Sequence, residues 1–190
     1  GVYSDWTDAL RVSAFHVVSL ATTTGYAAAD YALWPVFAPV MLMFLGCFVS
    51  CAGSTGGGIK MVRMILLVKQ ARRELVRIIH PRVINPVTLG GGVMPMSVMT
   101  AVLGFMLIYG GATMGLSMLL LLSGMDIVTA FSAVIATVNN IGPGLGEVGP
   151  SGNYGNLNPF QLGVLSFAML LGRLELLSVL VLFSSHFWRK

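Results

Sequence analysis

Residues 20–30 read LATTTGYAAAD. Three threonines, a glycine and a tyrosine stand here between two apolar runs. Such a stretch is either an ordinary turn or a loop that presents its own carbonyl oxygens to something. Composition narrows the choice. Of 190 residues, 56% are hydrophobic and 9% charged, and the mean hydropathy is +0.85. Soluble domains carry about 25% charged residues, so a soluble globular domain would lack its surface. The chain reads as an integral membrane protein.

Charge gaps locate the spans. No charge occurs between Asp30 and Lys60, and residues 32–50 are long enough to cross most of a bilayer as a helix. The gap from Arg82 to Asp126 holds a second span, 97–122, whose Gly and Ser content suits close helix packing. A third apolar run, 159–183, continues as a helix to 188 and carries Arg173 and Glu175 near its centre. Two further apolar segments, 8–20 and 126–138, are too short to span. Each would be about 20 Å long as a helix, against a hydrocarbon core of about 30 Å. Each has an Asp near its N-terminal end, which suits the helix dipole, and each runs into a glycine-bearing polar loop, TTTGY or NNIGPG.

The pattern short helix, Gly loop, spanning helix therefore occurs twice. Residues 1–82 make a truncated unit: short helix 5–20, loop 21–27 and broken helix 32–79. Residues 83–190 make a complete one: span 97–122, short helix 126–138, loop 139–144 and span 159–188. The polar, aromatic opening GVYSDWTDAL has no basic region ahead of a hydrophobic one, so no signal peptide is expected and the chain reads as part of a longer protein.

Seven of the eleven Lys and Arg residues lie between positions 60 and 82, and Arg189 and Lys190 close the chain. By the positive-inside rule both clusters, and so the C-terminus, are cytoplasmic. The three spans agree with that orientation. Asp5, Asp8, Asp30, Asp126 and Glu147 then lie on the outer side, where they would concentrate cations as well as cap helices.

Irregular backbone at membrane depth is tolerated only inside protein or around a watery cavity, so two re-entrant Gly loops need a purpose. Potassium selectivity filters are rings of loops whose carbonyls replace the ion's hydration shell. Thr23-Thr24-Gly25-Tyr26 is close to the Thr-Val-Gly-Tyr of that signature, and Asn140-Ile141-Gly142-Pro143 stands in the matching place of the second loop. These eight residues are the candidate filter. Potassium is the transported substrate, with Thr23, Thr24, Gly25, Asn140, Ile141 and Gly142 as its ligands; no cofactor is expected.

The pieces ATTTGY, CAGSTGGGIK, NNIGPGLGEVGP and MLLGRLELLSVLVLF together resemble the TrkH/KtrB/HKT superfamily of potassium transporters, most of all its bacterial TrkH branch. The resemblance covers nearly the whole chain. It implies an all-α integral membrane fold of potassium-channel-like helix–pore-loop–helix repeats, four around one pore, of which this chain supplies most of the third and all of the fourth. It also implies the N-terminal half of the same transporter as a partner, a homodimer, a bacterial cytoplasmic (inner) membrane, and a cytosolic nucleotide-binding regulatory subunit of the TrkA or KtrA kind.

The stretch GCFVSCAGSTGGGIK, residues 46–60, has glycines spaced as in a phosphate-binding P-loop, but Ile59 follows Gly58 where that motif needs Lys and then Ser or Thr. Five glycines between 46 and 58 exceed what a helix cap needs. A helix broken at membrane depth fits better, and the resemblance makes Gly53, Ser54, Thr55, Gly56, Gly57 and Gly58 a gate in the permeation path. Arg173 is costly in mid-span, hence a functional candidate; the resemblance makes it a positive charge beside the path. Its purely structural reading is an arginine buried against carbonyls. Glu175 lies about 200° round the helix from it, so the two do not pair. Residues 59–79 form a basic amphipathic helix suited to acidic membrane lipid. Cys47 and Cys51 share a helical face and read as small apolar residues. Nothing supports an enzyme or nucleic-acid binding. Potassium uptake through a filter pore is the leading function. The alternatives are a secondary cation transporter with an occluded midplane site, a sodium/potassium symporter, and a non-transporting scaffold.

Overall fold

Helix α1 (Trp6–Ala21) begins at Asp5, whose carboxylate accepts the Thr7 amide at 3.4 Å and the Thr7 hydroxyl at 2.6 Å. The hydroxyl first, and then the amide, hold that carboxyl below its ordinary range. A computed structural model describes Tyr3, residues 5–48 and residues 57–174. After α1 the chain turns, makes a 3-10 turn over Tyr31–Leu33 capped by Asp30, and enters α2 (Phe37–Phe48). The expected span began at residue 32, five positions earlier. Pro35 explains the delay: it keeps the preceding residue out of the helical region, and Trp34 is extended at φ −75°, ψ 164°. The described α2 is about 18 Å long at 1.5 Å per residue, and positions 49 and 50 of the expected span lie outside the described residues.

Helix α3 (Met61–Ile79) is the expected basic helix, begun two residues later because Lys60 is extended. It packs on α4 through Leu66, which meets Met99 and Val102 in a small core with Val87. Leu75, Ile78 and Ile79 stay exposed. Between α3 and α4 the all-α expectation needs a correction. Strands β1 (Thr88–Leu89) and β2 (Gly92–Val93) pair antiparallel around Gly90 and Gly91, at φ +57° and +84°. A two-residue hairpin turn asks for two positive φ angles, and LGGGV supplies them. Lys69 Nζ donates to the Thr88 carbonyl at 2.7 Å and ties the hairpin to α3.

Helix α4 (Met96–Leu122) is one residue longer than expected and is, among the described residues, the one helix long and apolar enough to cross a membrane. Helix α5 (Ile127–Val138) follows, capped by Asp126 through the Val128 and Thr129 amides. Helix α6 (Pro159–Arg173) opens on a capping box between Asn158 and Gln161 with Pro159 at its first position. The rest of the expected span 159–188 lies outside the described residues.

The core is built around α5. Ala130, Ala133, Val134 and Ala136 are wholly buried, and these small side chains let α4, α6 and α2 approach on three sides. Phe105, Leu116 and Leu120 from α4 and Leu165, Ala168 and Leu171 from α6 complete the main cluster. The opposite side of α4 presents Leu107, Met114 and Leu122 outward.

Candidate functional site

Helices α1 and α5 end in the same way. The Thr23 amide returns to the Leu20 carbonyl (3.1 Å) and the Thr24 amide to Ser19 (2.9 Å). The Asn140 amide returns to Thr137 (3.0 Å) and the Ile141 amide to Ala136 (2.8 Å), at a constant offset along the chain. Thr23 and Asn140 are both left-handed, at φ +56° and +54°, and these two are the described non-glycine residues with positive φ. Gly25 and Gly142 follow at φ +78° and +106°. Two turns with little sequence identity thus trace one backbone path.

The two turns meet. A Cβ at Gly25 would overlap the Ile141 carbonyl and lie 3.3 Å from Pro143 Cδ. A Cβ at Gly46 of α2 would lie 2.5 Å from Ile141 Cδ1 and 3.3 Å from the Leu20 carbonyl oxygen. Ile141 is buried with Leu20, Tyr31 and Leu42, and the Tyr31 hydroxyl donates to the Gly144 carbonyl at 3.3 Å. Thr23 and Thr24 of the first turn and Asn140, Ile141 and Gly142 of the second line one cavity of about 350 Å³, with Tyr154 and the α6 residues Leu162, Ser166 and Met169.

The C-terminal ends of two helices, which carry partial negative charge, therefore converge on a cavity whose polar lining consists of backbone, hydroxyl and amide groups. Hard divalent cations take several carboxylates, and among the described residues no three His, Cys, Asp or Glu side chains cluster.

A family model for TrkH, described as a cation transport protein, matches residues 4–190. The chain belongs to the TrkH family. It is 43% identical over 187 residues to the Trk system potassium uptake protein TrkH of Vibrio parahaemolyticus, covering 98% of this chain and 38% of that one. The TrkH of Halomonas elongata is 46% identical over 182 residues, 95% of this chain and 37% of the relative. The crystal structure of the potassium transporter TrkH from Vibrio parahaemolyticus superposes with a TM-score of 0.92 at 43% identity, over 99% of this chain and 40% of that one. The chain thus spans roughly two fifths of the relatives it matches, and its helical fold is the one seen in that part of TrkH.

Not every candidate residue of this TrkH-family chain faces the cavity. Gly25 and Pro143 stand behind it, at the contact between the loops. Tyr26 is 72% exposed, and its carbonyl is taken by the Ser19 hydroxyl at 2.7 Å. Gly53, Ser54, Thr55 and Gly56 lie outside the described residues, as does Cys51. Gly57 and Gly58 are described: a Cβ at either would overlap Asn139, and the Ile59 amide returns to the Cys47 carbonyl at 3.0 Å. Arg173 ends the described part of α6 and is exposed. Its neighbour Gly172 rests against the Val138 carbonyl, so α6 crosses α5 where the second loop starts.

Several residues that hold the loops escaped the sequence reading. His16, wholly buried, sets Nδ1 2.7 Å from the Val12 carbonyl oxygen, and Nε2 3.1 Å from the Ala29 carbonyl oxygen and 3.3 and 3.4 Å from the Ala28 and Ala29 amides. On α5, Ser132 Oγ accepts the Leu145 amide (2.9 Å) and donates to its carbonyl (3.1 Å). The Tyr154 hydroxyl donates to the Gly142 carbonyl at 2.6 Å. A signal was present for His16: a histidine inside an apolar segment at membrane depth marks a functional or heavily bonded position.

Proposed function

We propose that this chain contributes two of the pore-loop units of a potassium-selective pore in the cytoplasmic membrane, with the turns at Thr23–Tyr26 and Asn140–Pro143 as two sides of the filter. Residues 1–82 are the truncated unit and residues 83–190 the complete one. The observation that carries the reading is the pairing of the turns: equal backbone paths at the ends of two short helices, in contact at Gly25 and Ile141, around one cavity. The names of the relatives, potassium uptake proteins, supply the ion. The N-terminal half of the same transporter supplies the remaining units, and the process has no chemical step. Both short helices enter from the outer side, the C-terminus is cytoplasmic, and the assembly is a homodimer regulated by a cytosolic nucleotide-binding subunit. Residues 53–58 and Arg173 form the gate beneath the filter.

The experiment is a flux and current measurement on the intact transporter carrying Gly25→Ser. A side chain there displaces the Ile141 carbonyl, and sodium competes better. Potassium-over-sodium selectivity falls while folding is retained; unchanged selectivity in a well-folded variant removes Gly25 from the filter. Single-channel currents decide between this pore and the rival reading, a secondary transporter or symporter with an occluded site, which gives none.

A further inference from the structure

Asn139 is wholly buried at the junction of four segments. It caps α5, immediately ahead of the left-handed Asn140. Its Nδ2 donates to the Ile135 carbonyl (2.7 Å) and to Cys47 Sγ of α2 (3.4 Å). Its Oδ1 accepts the Tyr109 hydroxyl of α4 at 3.0 Å. The same Oδ1 occupies the space of a Cβ at Gly58, and the Asn139 carbonyl that of a Cβ at Gly57. A primary amide offers two donors and a two-lone-pair acceptor, and here both donors and the acceptor are used, each toward a different segment. Two residues on, Ile141 presses its carbonyl on Gly25 and its side chain on Gly46. A displacement of Asn139 is therefore passed to the contact between the loops.

We infer that Asn139 is a positioning residue for selectivity: its amide locks the returning segment 57–59, α2 and α4 to the start of the second loop, and through Ile141 sets the spacing of both loops. The inference rests on the filter reading above. Close packing makes such a junction transmit shifts instead of absorbing them, and a hydrogen-bonded hub loses its geometry when one arm is removed. Tyr109 is the arm that can be cut most gently, because Tyr109→Phe keeps the ring that stacks on Phe105.

The test uses the intact transporter with Tyr109→Phe, Asn139→Leu, both together, and Gly142→Ser as a control on the filter itself. Potassium-over-sodium selectivity and melting temperature are read on each. Tyr109→Phe should lower selectivity roughly fivefold, the factor that one neutral hydrogen bond represents, with a fall in melting temperature smaller than that of Asn139→Leu, because only the Asn139 Oδ1 loses a partner. Asn139→Leu should lower it further, and the double variant should be little worse than Asn139→Leu, because the Tyr109 hydroxyl reaches the second loop through the Asn139 amide. If Asn139→Leu does not fold, Tyr109→Phe alone decides. A selectivity change in Gly142→Ser with none in Tyr109→Phe overturns the positioning role and leaves the filter reading standing. No change in any of the folded variants overturns both.

Discussion

The carbonyl oxygen of Ile141 occupies the place where any residue but glycine would carry its Cβ at position 25. A glycine in one loop is thus required by the backbone of the other. Gly142 has the more extreme φ, +106°, yet a Cβ there would meet nothing within 4 Å. The two glycines of one motif are constrained for different reasons: Gly25 by strain and contact, Gly142 by strain alone.

From this difference, Gly25→Ala should harm the transporter more than Gly142→Ala. Both carry backbone strain of about 1–3 kcal/mol, and only Gly25→Ala also pushes on Ile141. Parallel measurement of potassium-over-sodium uptake and melting temperature checks the order. Equal effects would mean that the loops do not touch in the working transporter.

His16→Leu should lower the melting temperature of the intact transporter. The substitution removes the ring whose nitrogens meet the Val12 and Ala29 carbonyls and the Ala28 and Ala29 amides, and a buried polar group left unsatisfied costs about 1–3 kcal/mol. Thermal unfolding followed by tryptophan fluorescence measures it, and an unchanged midpoint would show that other partners serve those groups.

Arg72 and Arg77 are exposed on α3, and Arg73 Nη2 lies 3.1 Å from Glu74 Oε1. Replacing Arg72, Arg73 and Arg77 by Gln should weaken capture of the cytosolic regulatory subunit. Exposed ion pairs contribute about 0.2–1 kcal/mol each, so the three together account for roughly tenfold. A pull-down at ordinary salt reads this; full binding by the triple variant would leave the cluster as a topology and lipid signal only.

Deleting residues 54–57, or replacing Arg173 by Ala, should raise basal potassium flux and reduce its dependence on the regulatory subunit. The proposed gate rests on the conformational freedom of glycine and on the five donors of an arginine. Flux from proteoliposomes with and without the regulator measures both. Unmodified conduction and regulation in both variants would make the glycine segment a structural kink.

Composition, charge gaps and the position of glycines were enough to place α1, α3, α4 and α5 within two residues, because apolar length and end-capping Asp side chains are local properties of the chain. The same locality explains the late start of α2, where Pro35 overrode an unbroken apolar run, and the unforeseen hairpin at Gly90–Gly91, where turn chemistry mattered more than hydropathy. The repeat was visible as a pattern, and Thr23, Thr24, Asn140, Ile141 and Gly142 were legible as loop residues. Tertiary structure alone decided that these loops touch, that Ile141 is buried between Gly25 and Gly46, and that Asn139, His16 and Tyr154 hold them. Those relationships join positions more than a hundred residues apart in the first case, and depend on burial and close packing in all of them. Linear spacing encodes helix and turn, but a carbonyl filling the absent side chain of a distant glycine exists only once the helices have packed.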